Sequence, residues 1–519
     1  MHLASSRTAA RSQHWGRLNA TRTSRCYRVR RTVLVSVLLP LLLPVALSAQ
    51  GFRGTATTTT RYLELRPIVR DTVARSRVTE LPDGQLVFEG RPVTCVTGLP
   101  CVFYRPGQVQ SATFATQDVG ATAWGFGVTG LSATVLLRAR ADLAGEFDWP
   151  RSDDAFDAVL AYAQYNRGVL RARVGRQLNM SGLGFAGYDG LNLLVEPLSG
   201  LTIEGYAGRS LLRGTSEPRS EALRGVEDFP FDSVSRQFYL FGASARWEPL
   251  AGTALTVRYQ REIQGFQGAI SAERASFDVA TRALRPVLLE AAVDYDVAFN
   301  RIGKAHLRAQ APLLGSRLIL EATARRYQPW FDLFTIWGFF SPVAYHEGEL
   351  RATWRPLRPL RVWGTGAFRR YEESNAPIIL GGIEREAVRG ELGAEWQASR
   401  QLSFDGTFRW EEGAGAFLSS GDATVRWSPG ERFAVFLNGT AFQQIEEYRV
   451  GEGAVLGFGG GTEMELLPRT RLLTGANLYR QNFENRSSAA DWNQLRAYAS
   501  LNIGFGEDPG AARRPGRVR

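Results

Sequence analysis

The chain has 519 residues, of which 44 % are hydrophobic and 11 % aromatic, and it carries a formal net charge of +11. Eight of its arginines lie in the first 49 residues, where there is no acid, so the rest of the chain carries only +3 and gives no charge argument for nucleic-acid binding. No stretch after residue 49 reaches the ~20 apolar residues of a membrane-crossing helix, which excludes a helical membrane protein.

Residues 1–49 read as a secretory signal peptide with a long basic leader. Arg7, Arg11, Arg17, Arg22, Arg25, Arg28, Arg30 and Arg31 precede an apolar run, Val33 to Leu47, that contains Pro40 and Pro44 and closes on small residues at Ser48 and Ala49. Cys26 precedes that run. The other two cysteines, Cys95 and Cys101, are spaced C-x5-C in an exported chain and are expected to close a small loop as a disulfide.

Residues 50–118 are expected to form a small β-rich N-terminal segment. TTTTRYLELRP reads as a strand, and Pro82-Asp83-Gly84 reads as a hairpin turn between VTEL and QLVFEG. From Val119 to Phe505 the chain repeats one unit, clearest between Tyr345 and Tyr371. Gly348, Leu350, Ala352 and Trp354 alternate there with Glu347, Glu349, Arg351 and Thr353. After a turn with Pro356 and Pro359, Leu360, Val362, Gly364 and Phe368 alternate with Arg361, Thr365 and Arg369. A strict period of two marks a strand with one apolar and one polar face. Each arm is about eleven residues, the length of a tilted bilayer-crossing strand and about twice the soluble average.

Twenty-one such arms lie between residues 119 and 505, joined alternately by short turns and longer polar loops, the longest being Ser210 to Ser235. Exported amphipathic strands can cross a membrane only as a closed barrel, because every backbone N–H and C=O must find a partner away from water. If the short turns are periplasmic, the first arm at 119–128 runs inward, so an earlier strand must run outward. Even strand numbers in bacterial barrels then give 22, the extra strand being Thr57 to Ile68 or Gln108 to Thr116. The predicted fold is therefore all-β, a transmembrane antiparallel up-and-down β-barrel of about 22 strands (20–22) over residues 119–505, with a disordered basic tail at 506–519.

Trp247, Trp354, Trp396 and Trp427 each fall on the apolar face immediately before a short turn, as an aromatic girdle at one interface requires. On the other face the pattern places Arg138, Arg140, Arg171, Arg173, Glu204, Arg258, Glu290, Asp294, Arg308, Glu321, Arg325, Glu347, Glu349, Arg351, Arg369, Arg389, Glu391, Asp405 and Arg409, the candidate pore-lining residues. A barrel of this size is too wide for side chains to fill, so this face is expected to border water. Taken singly, each charge can equally be a cross-strand ion pair on the wall. Beyond the leader the chain has only His306 and His346, and neither sits in a metal-ligand or nucleophile motif, so no enzymatic activity, cofactor or metal is expected. Gly457 to Gly461 lacks the strand–loop–helix setting and the lysine of a phosphate loop.

Two stretches carry a resemblance to known proteins. VGRQLNMSGLGFAGYDG, Val174 to Gly190, is similar to the GRQ…G…DG stretch of substrate-selective porins and alginate-export-type channels, with Arg176, Gln177, Asp189 and Gly190 at the matching positions. The last arm carries Leu495, Ala497, Ala499, Leu501, Ile503 and Phe505 on one face. It resembles the C-terminal strand signal that the barrel assembly machinery reads. The resemblance implies a porin-like channel in the outer membrane of a Gram-negative-type cell, in contact with outer-membrane lipid and passing small hydrophilic solutes by diffusion. The alternatives are the barrel of an energised receptor or export machine, with residues 50–118 as plug or docking element, and a structural or adhesive barrel.

Overall fold

The computed structural model describes residues 50–65, 68–81, 84, 86–89, 91–144, 156–211, 238–265, 268–328, 343–372, 385–413, 417–444, 453–483 and 492–507. The expected signal peptide, most of the Ser210–Ser235 loop and the basic tail beyond residue 507 lie outside them.

The chain opens with β1 (Gly51–Leu65), followed by five short strands: β2 (Ile68–Val73), β3 (Thr79–Glu80), β4 (Leu86–Phe88), β5 (Arg91–Thr94) and β6 (Cys101–Pro106). Long strands then follow, beginning with β7 (Gln110–Trp124), β8 (Leu131–Ala144), β9 (Phe156–Arg167), β10 (Leu170–Ser181), β11 (Gly184–Leu198), β12 (Leu201–Ser210) and β13 (Phe238–Leu250). The next seven are β14 (Thr253–Gln264), β15 (Ile270–Thr281), β16 (Leu288–Asp296), β17 (Arg301–Leu313), β18 (Leu318–Tyr327), β19 (Tyr345–Leu357) and β20 (Leu360–Tyr371). The last seven are β21 (Glu386–Gln397), β22 (Leu402–Gly413), β23 (Phe417–Gly430), β24 (Phe433–Gln444), β25 (Gly453–Leu467), β26 (Thr470–Phe483) and β27 (Trp492–Gly506).

Twenty-two of these strands, β1 and β7 to β27, form one sheet in which each pairs antiparallel with its neighbours in sequence. The sheet closes on itself because β1 pairs with β7 on one side and β27 on the other, from Gly51↔Trp124 and from Arg53↔Gly506. Closure leaves no edge strand, which is the condition for placing strands in lipid. Threonines suit the seam because they are β-branched and carry a donor. Thr59 Oγ1 lies 2.9 Å from Ser500 Oγ, and Asn502 Nδ2 donates to Thr57 Oγ1 at 2.8 Å.

This arrangement corrects the expected N-terminal boundary. The barrel sheet takes in Gly51–Leu65 as β1 and Gln110–Trp124 as β7, both starting before Val119. The other candidate, Gln108 to Thr116, overlaps the first half of β7, which starts at Gln110 and continues through Val119 without a break. Among the described residues, those between 68 and 106 stand apart from the barrel sheet, as a five-stranded sheet in the order β2-β6-β5-β4-β3. That sheet has its own core of Val73, Val93, Cys101 and Phe103, with Phe88 edge-on to Phe103 at 5.2 Å between ring centroids. Cys95 and Cys101 are joined by a disulfide.

Connections divide the barrel into two ends. Turns as short as Gly168-Val169, Arg358-Pro359 and Pro468-Arg469 gather at the end that also holds Gly51 and Gly506. The five-stranded sheet joins β1 to β7 at the opposite, long-loop end. Large apolar residues cover the outer surface: Leu350, Leu392 and Phe458 are each about two-thirds exposed. Trp247, Trp354, Trp396 and Trp427 lie on that surface beside short turns, 48–51 % exposed, where one membrane interface falls.

Candidate functional site: the inner wall and an inward-folded hairpin

Charged side chains between β18 and β22 reach across whole strands to one another, which is geometrically easy only on the concave face of a barrel. Glu347, whose side chain is 1 % exposed, receives Arg325 Nη2 at 2.5 Å, Arg369 Nε at 2.8 Å and Arg389 Nη2 at 2.9 Å. Arg389 also donates to Glu349 at 2.7 Å, and Arg369 extends to Glu411 at 3.1 Å. Glu391 accepts from Arg351 at 3.5 Å, Arg409 at 3.1 Å and the Trp363 indole at 2.9 Å. Arg409 reaches Asp422 at 3.1 Å as well.

Elsewhere on the wall the pairing is more local. Arg308 bridges Glu290 at 3.0 Å and Glu321 at 2.5 Å, and Arg138 pairs with Asp118 at 2.6 Å. Arg258 pairs with Asp278. Arg173 donates to Gln164 at 2.7 Å and lies over the Tyr162 ring, while Glu204 is held by Asn192 at 2.7 Å and Ser244 at 3.2 Å. Arg171 keeps a buried Nε without a hydrogen-bond partner. Arg140 lies on the same face of β8 as Arg138, and Asp405 stands opposite Glu395 and Thr424 in the register. The structure thus draws most of the expected charges into cross-strand networks. Partners the sequence reading passed over, Asp118, Arg274, Asp278 and Asp422, share the alternation of their strands.

The stretch Val174 to Gly190 does something alternation does not announce. β9 pairs with β10 only as far as Arg176↔Ala161, and β11 pairs with β12 only from Tyr188↔Ser210 onward. Between those points residues 177–187 keep their own ladder, Gln177↔Tyr188 through Ser181↔Gly184; among the described residues β9 has no pairing with them, and on the β12 side the Leu211 N–H donates to the Gly187 carbonyl at 2.8 Å. Gly182 at the tip lies beside Arg258 and Asp278 on the inner face of β14 and β15, and Arg274 of β15 donates to the Leu183 carbonyl. To touch those strands the hairpin must cross the inner faces of β12 and β13, so it leans into the lumen.

Packing on the wall holds it there. Ala186 and Tyr188 form a buried cluster with Tyr206 and Leu240. Tyr188 stacks on Tyr206 at 5.4 Å, and the Tyr206 hydroxyl donates to Gln260 at 3.0 Å. The opposite face of the hairpin carries Met180, 81 % exposed, paired across the ladder with Phe185.

All four motif residues sit at the root of this hairpin. Arg176 forks onto Asp189 with Nε–Oδ1 at 2.8 Å and Nη2–Oδ2 at 3.0 Å, and its Nη1 donates to Ala158 O at 3.0 Å beside Asp157 at 3.4 Å. Gln177, 1 % exposed, donates to the Gly190 carbonyl at 3.1 Å. Gly175, Gly190 and Gly208 face one another across three strands, and a Cβ on any of them would overlap backbone of the next strand. Gly175 has φ 124, a conformation that side chains resist. A close-packed glycine row with one left-handed residue lets the two strands change direction here.

No protein-family model matches the chain, and no curated protein matches it. Among solved structures it is similar to the siderophore receptor PirA from Acinetobacter baumannii, with TM-score 0.51 and 7 % identity over 87 % of this chain and 80 % of the other. It also aligns with the enterobactin-bound R480A mutant of the ferric enterobactin receptor PfeA from Pseudomonas aeruginosa, with TM-score 0.48 and 11 % identity over 87 % and 81 %. A BenF-like porin from Pseudomonas fluorescens Pf-5 aligns over 88 % and 99 %, with TM-score 0.37 and 9 % identity. At these identities the likeness is one of fold. A closed 22-stranded antiparallel barrel with an apolar outer band and a charged inner wall defines a porin-like β-barrel of the outer membrane. The protein has the fold of an outer-membrane β-barrel.

Proposed function

We propose that the protein is a channel through which small hydrophilic solutes diffuse across the outer membrane, with the hairpin 177–187 as its narrowing. The observation that carries this reading is that the barrel's own strands supply the constriction. Tilted strands of this number enclose more space than wall side chains fill, and a hairpin fixed against β13 to β15 leaves the remaining section for passage. With short turns on the periplasmic side, residues 68–106 lie at the external mouth, and β1 and β7 account for most of the rest of residues 50–118.

A receptor barrel is the second reading, and the strand number favours it, since 22-stranded outer-membrane transporters carry a plugged lumen. Single-channel recording in planar bilayers separates the two. Stable ohmic steps from the intact protein are expected, with larger steps when residues 177–187 are replaced by a short Gly-Ser turn. Conductance that appears only after Ile68–Pro106 is excised would make the external sheet a stopper and transfer the case to the receptor reading. A folded barrel that conducts in neither form would end the channel proposal.

A further inference from the structure

Residues 282–287, 314–317, 355–359 and 398–401 turn β15 into β16, β17 into β18, β19 into β20 and β21 into β22, and they carry six arginines and no acid. Arg282, Arg285, Arg317, Arg355, Arg358 and Arg400 are all exposed, and among the described residues no carboxylate is paired with any of them. The turns adjoin along the rim: the Arg355 N–H donates to the Arg317 carbonyl at 2.7 Å, and the Gln397 N–H to the Pro359 carbonyl at 2.8 Å. Strands stand about 4.8 Å apart, so successive short turns, two strands apart, lie about 10 Å from one another. That is close to one Debye length at physiological salt, so these like charges repel one another unless a counter-charge comes between them.

Leucines share the same turns. Leu284, Leu314 and Leu357 are 62–72 % exposed, and the girdle residues Trp354 and Trp396 lie just before two of these turns. Large apolar side chains at the level of a tryptophan girdle belong in the interfacial layer of a bilayer, where arginine buries its stem and keeps its guanidinium among the headgroups. Elsewhere on the rim the exposed leucine stands near an acid. Leu198 lies near Glu196, and Leu250 lies near Glu248, which takes up Arg246 at 2.7 Å. Contact with lipid is thus general to this end of the barrel, and an acid-free run of arginines marks the arc from β15 to β22.

We propose that this arc is a binding surface for the headgroups of anionic phospholipids in the leaflet at the short-turn end of the barrel. A guanidinium meets a phosphodiester with two parallel N–H···O bonds, and its charge matches the headgroup's. A zwitterionic phospholipid offers the same phosphate, but its own ammonium cancels the charge that the arc requires. A soluble acidic partner would match the arginines and leave the exposed leucines and tryptophans beside them without a counterpart. The inference rests on the barrel's place in a membrane and not on whether it conducts.

The test is native mass spectrometry of the full-length barrel released from detergent micelles doped with equimolar phosphatidylglycerol and phosphatidylcholine. An arginine beside an anionic lipid contributes about a fivefold preference, so phosphatidylglycerol adducts should outnumber phosphatidylcholine adducts at least about fivefold. Raising the ammonium acetate concentration should shrink that ratio, because the charges are exposed and screened by salt. The triple variant Arg317→Gln, Arg355→Gln, Arg358→Gln should bring the ratio near one, whereas lysine at the same three positions keeps the charge and should retain most of it. A wild-type ratio near one, or a ratio that the glutamine variant leaves unchanged, overturns the proposal. The wild-type ratio and its salt dependence decide the matter even if the glutamine variant does not fold. Binding of soluble polyglutamate to the vesicle-embedded barrel, with no enrichment of phosphatidylglycerol, would overturn it in favour of an acidic soluble partner.

Discussion

Replacing Arg176 with methionine tests whether the hairpin is held inward at its root. The methionine keeps much of the aliphatic stem and removes a fork onto Asp189 at 2.8 and 3.0 Å together with a bond to the Ala158 carbonyl at 3.0 Å. Hydrogen bonds to charged groups contribute about 1.5–3 kcal/mol each when shielded. These side chains are 27 % and 38 % exposed, so solvent screening reduces the sum to about 2 kcal/mol. Against an equilibrium between an inward and a released hairpin, about 2 kcal/mol changes the population ratio roughly 30-fold. Single-channel traces of the wild type should show one dominant level, and Arg176→Met should add frequent excursions to a larger one. Arg176→Lys, which keeps the charge but not the fork, should fall between them. Identical traces from wild type and Arg176→Met, with the barrel intact by its resistance to unfolding in detergent, would show that the ion pair does not govern the hairpin.

Other substitutions check the faces of the wall. Leu350→Arg, at a position 69 % exposed on the outer surface, should cost roughly 2–4 kcal/mol near mid-membrane and show as a lower yield in refolding into lipid vesicles. Glu347→Gln leaves three guanidinium groups around a neutral amide and should destabilise the barrel by about 3–5 kcal/mol, read from the urea midpoint. Arg409→Ala, at a half-exposed position, should leave that midpoint nearly unchanged and shift reversal potentials toward cation selectivity, because Glu391 and Asp422 lose a counter-charge. On intact cells a membrane-impermeant maleimide should label Arg75→Cys in the 3-10 turn between β2 and β3 and spare Arg358→Cys in a short turn; the reverse pattern would invert the assigned orientation.

Period-two alternation made the barrel legible, because in a wall bordered by lipid on one side and water on the other each residue reports its own side. Leu350 and Arg351, or Val257 and Arg258, can be sorted without knowing what they touch. Parity likewise demanded a strand before residue 119, although Thr57 to Ile68 and Gln108 to Thr116 read equally well as strands. Only pairing on two sides, β1 with both β7 and β27, distinguishes a barrel strand from the first half of one. The convergence of Arg325, Arg369 and Arg389 on Glu347 was not legible for a related reason. It needs the relative register of four strands, which depends on turns far apart in sequence.

The hairpin was hidden more deeply, since residues 177–187 alternate as strands whether their neighbours are β9 and β12 or the inner faces of β13 to β15. Among the described residues, what changes is the pairing with β9 beyond Arg176 and with β12 before Gly187, and the one sequence trace of it is glycine at 175, 190 and 208, meaningful only once the three are aligned. This division bears on where selectivity resides. On β18 to β22 the charges neutralise one another over distances of 2.5–3.5 Å, so that stretch of wall offers a passing solute little net field. At the hairpin tip Gly182 lies beside Arg258 and Asp278, and Arg274 donates to the Leu183 carbonyl, so charges of the wall there hold the hairpin in place. Discrimination in a wide barrel requires a narrowing, and among the described residues the folded hairpin is where the strands themselves supply one.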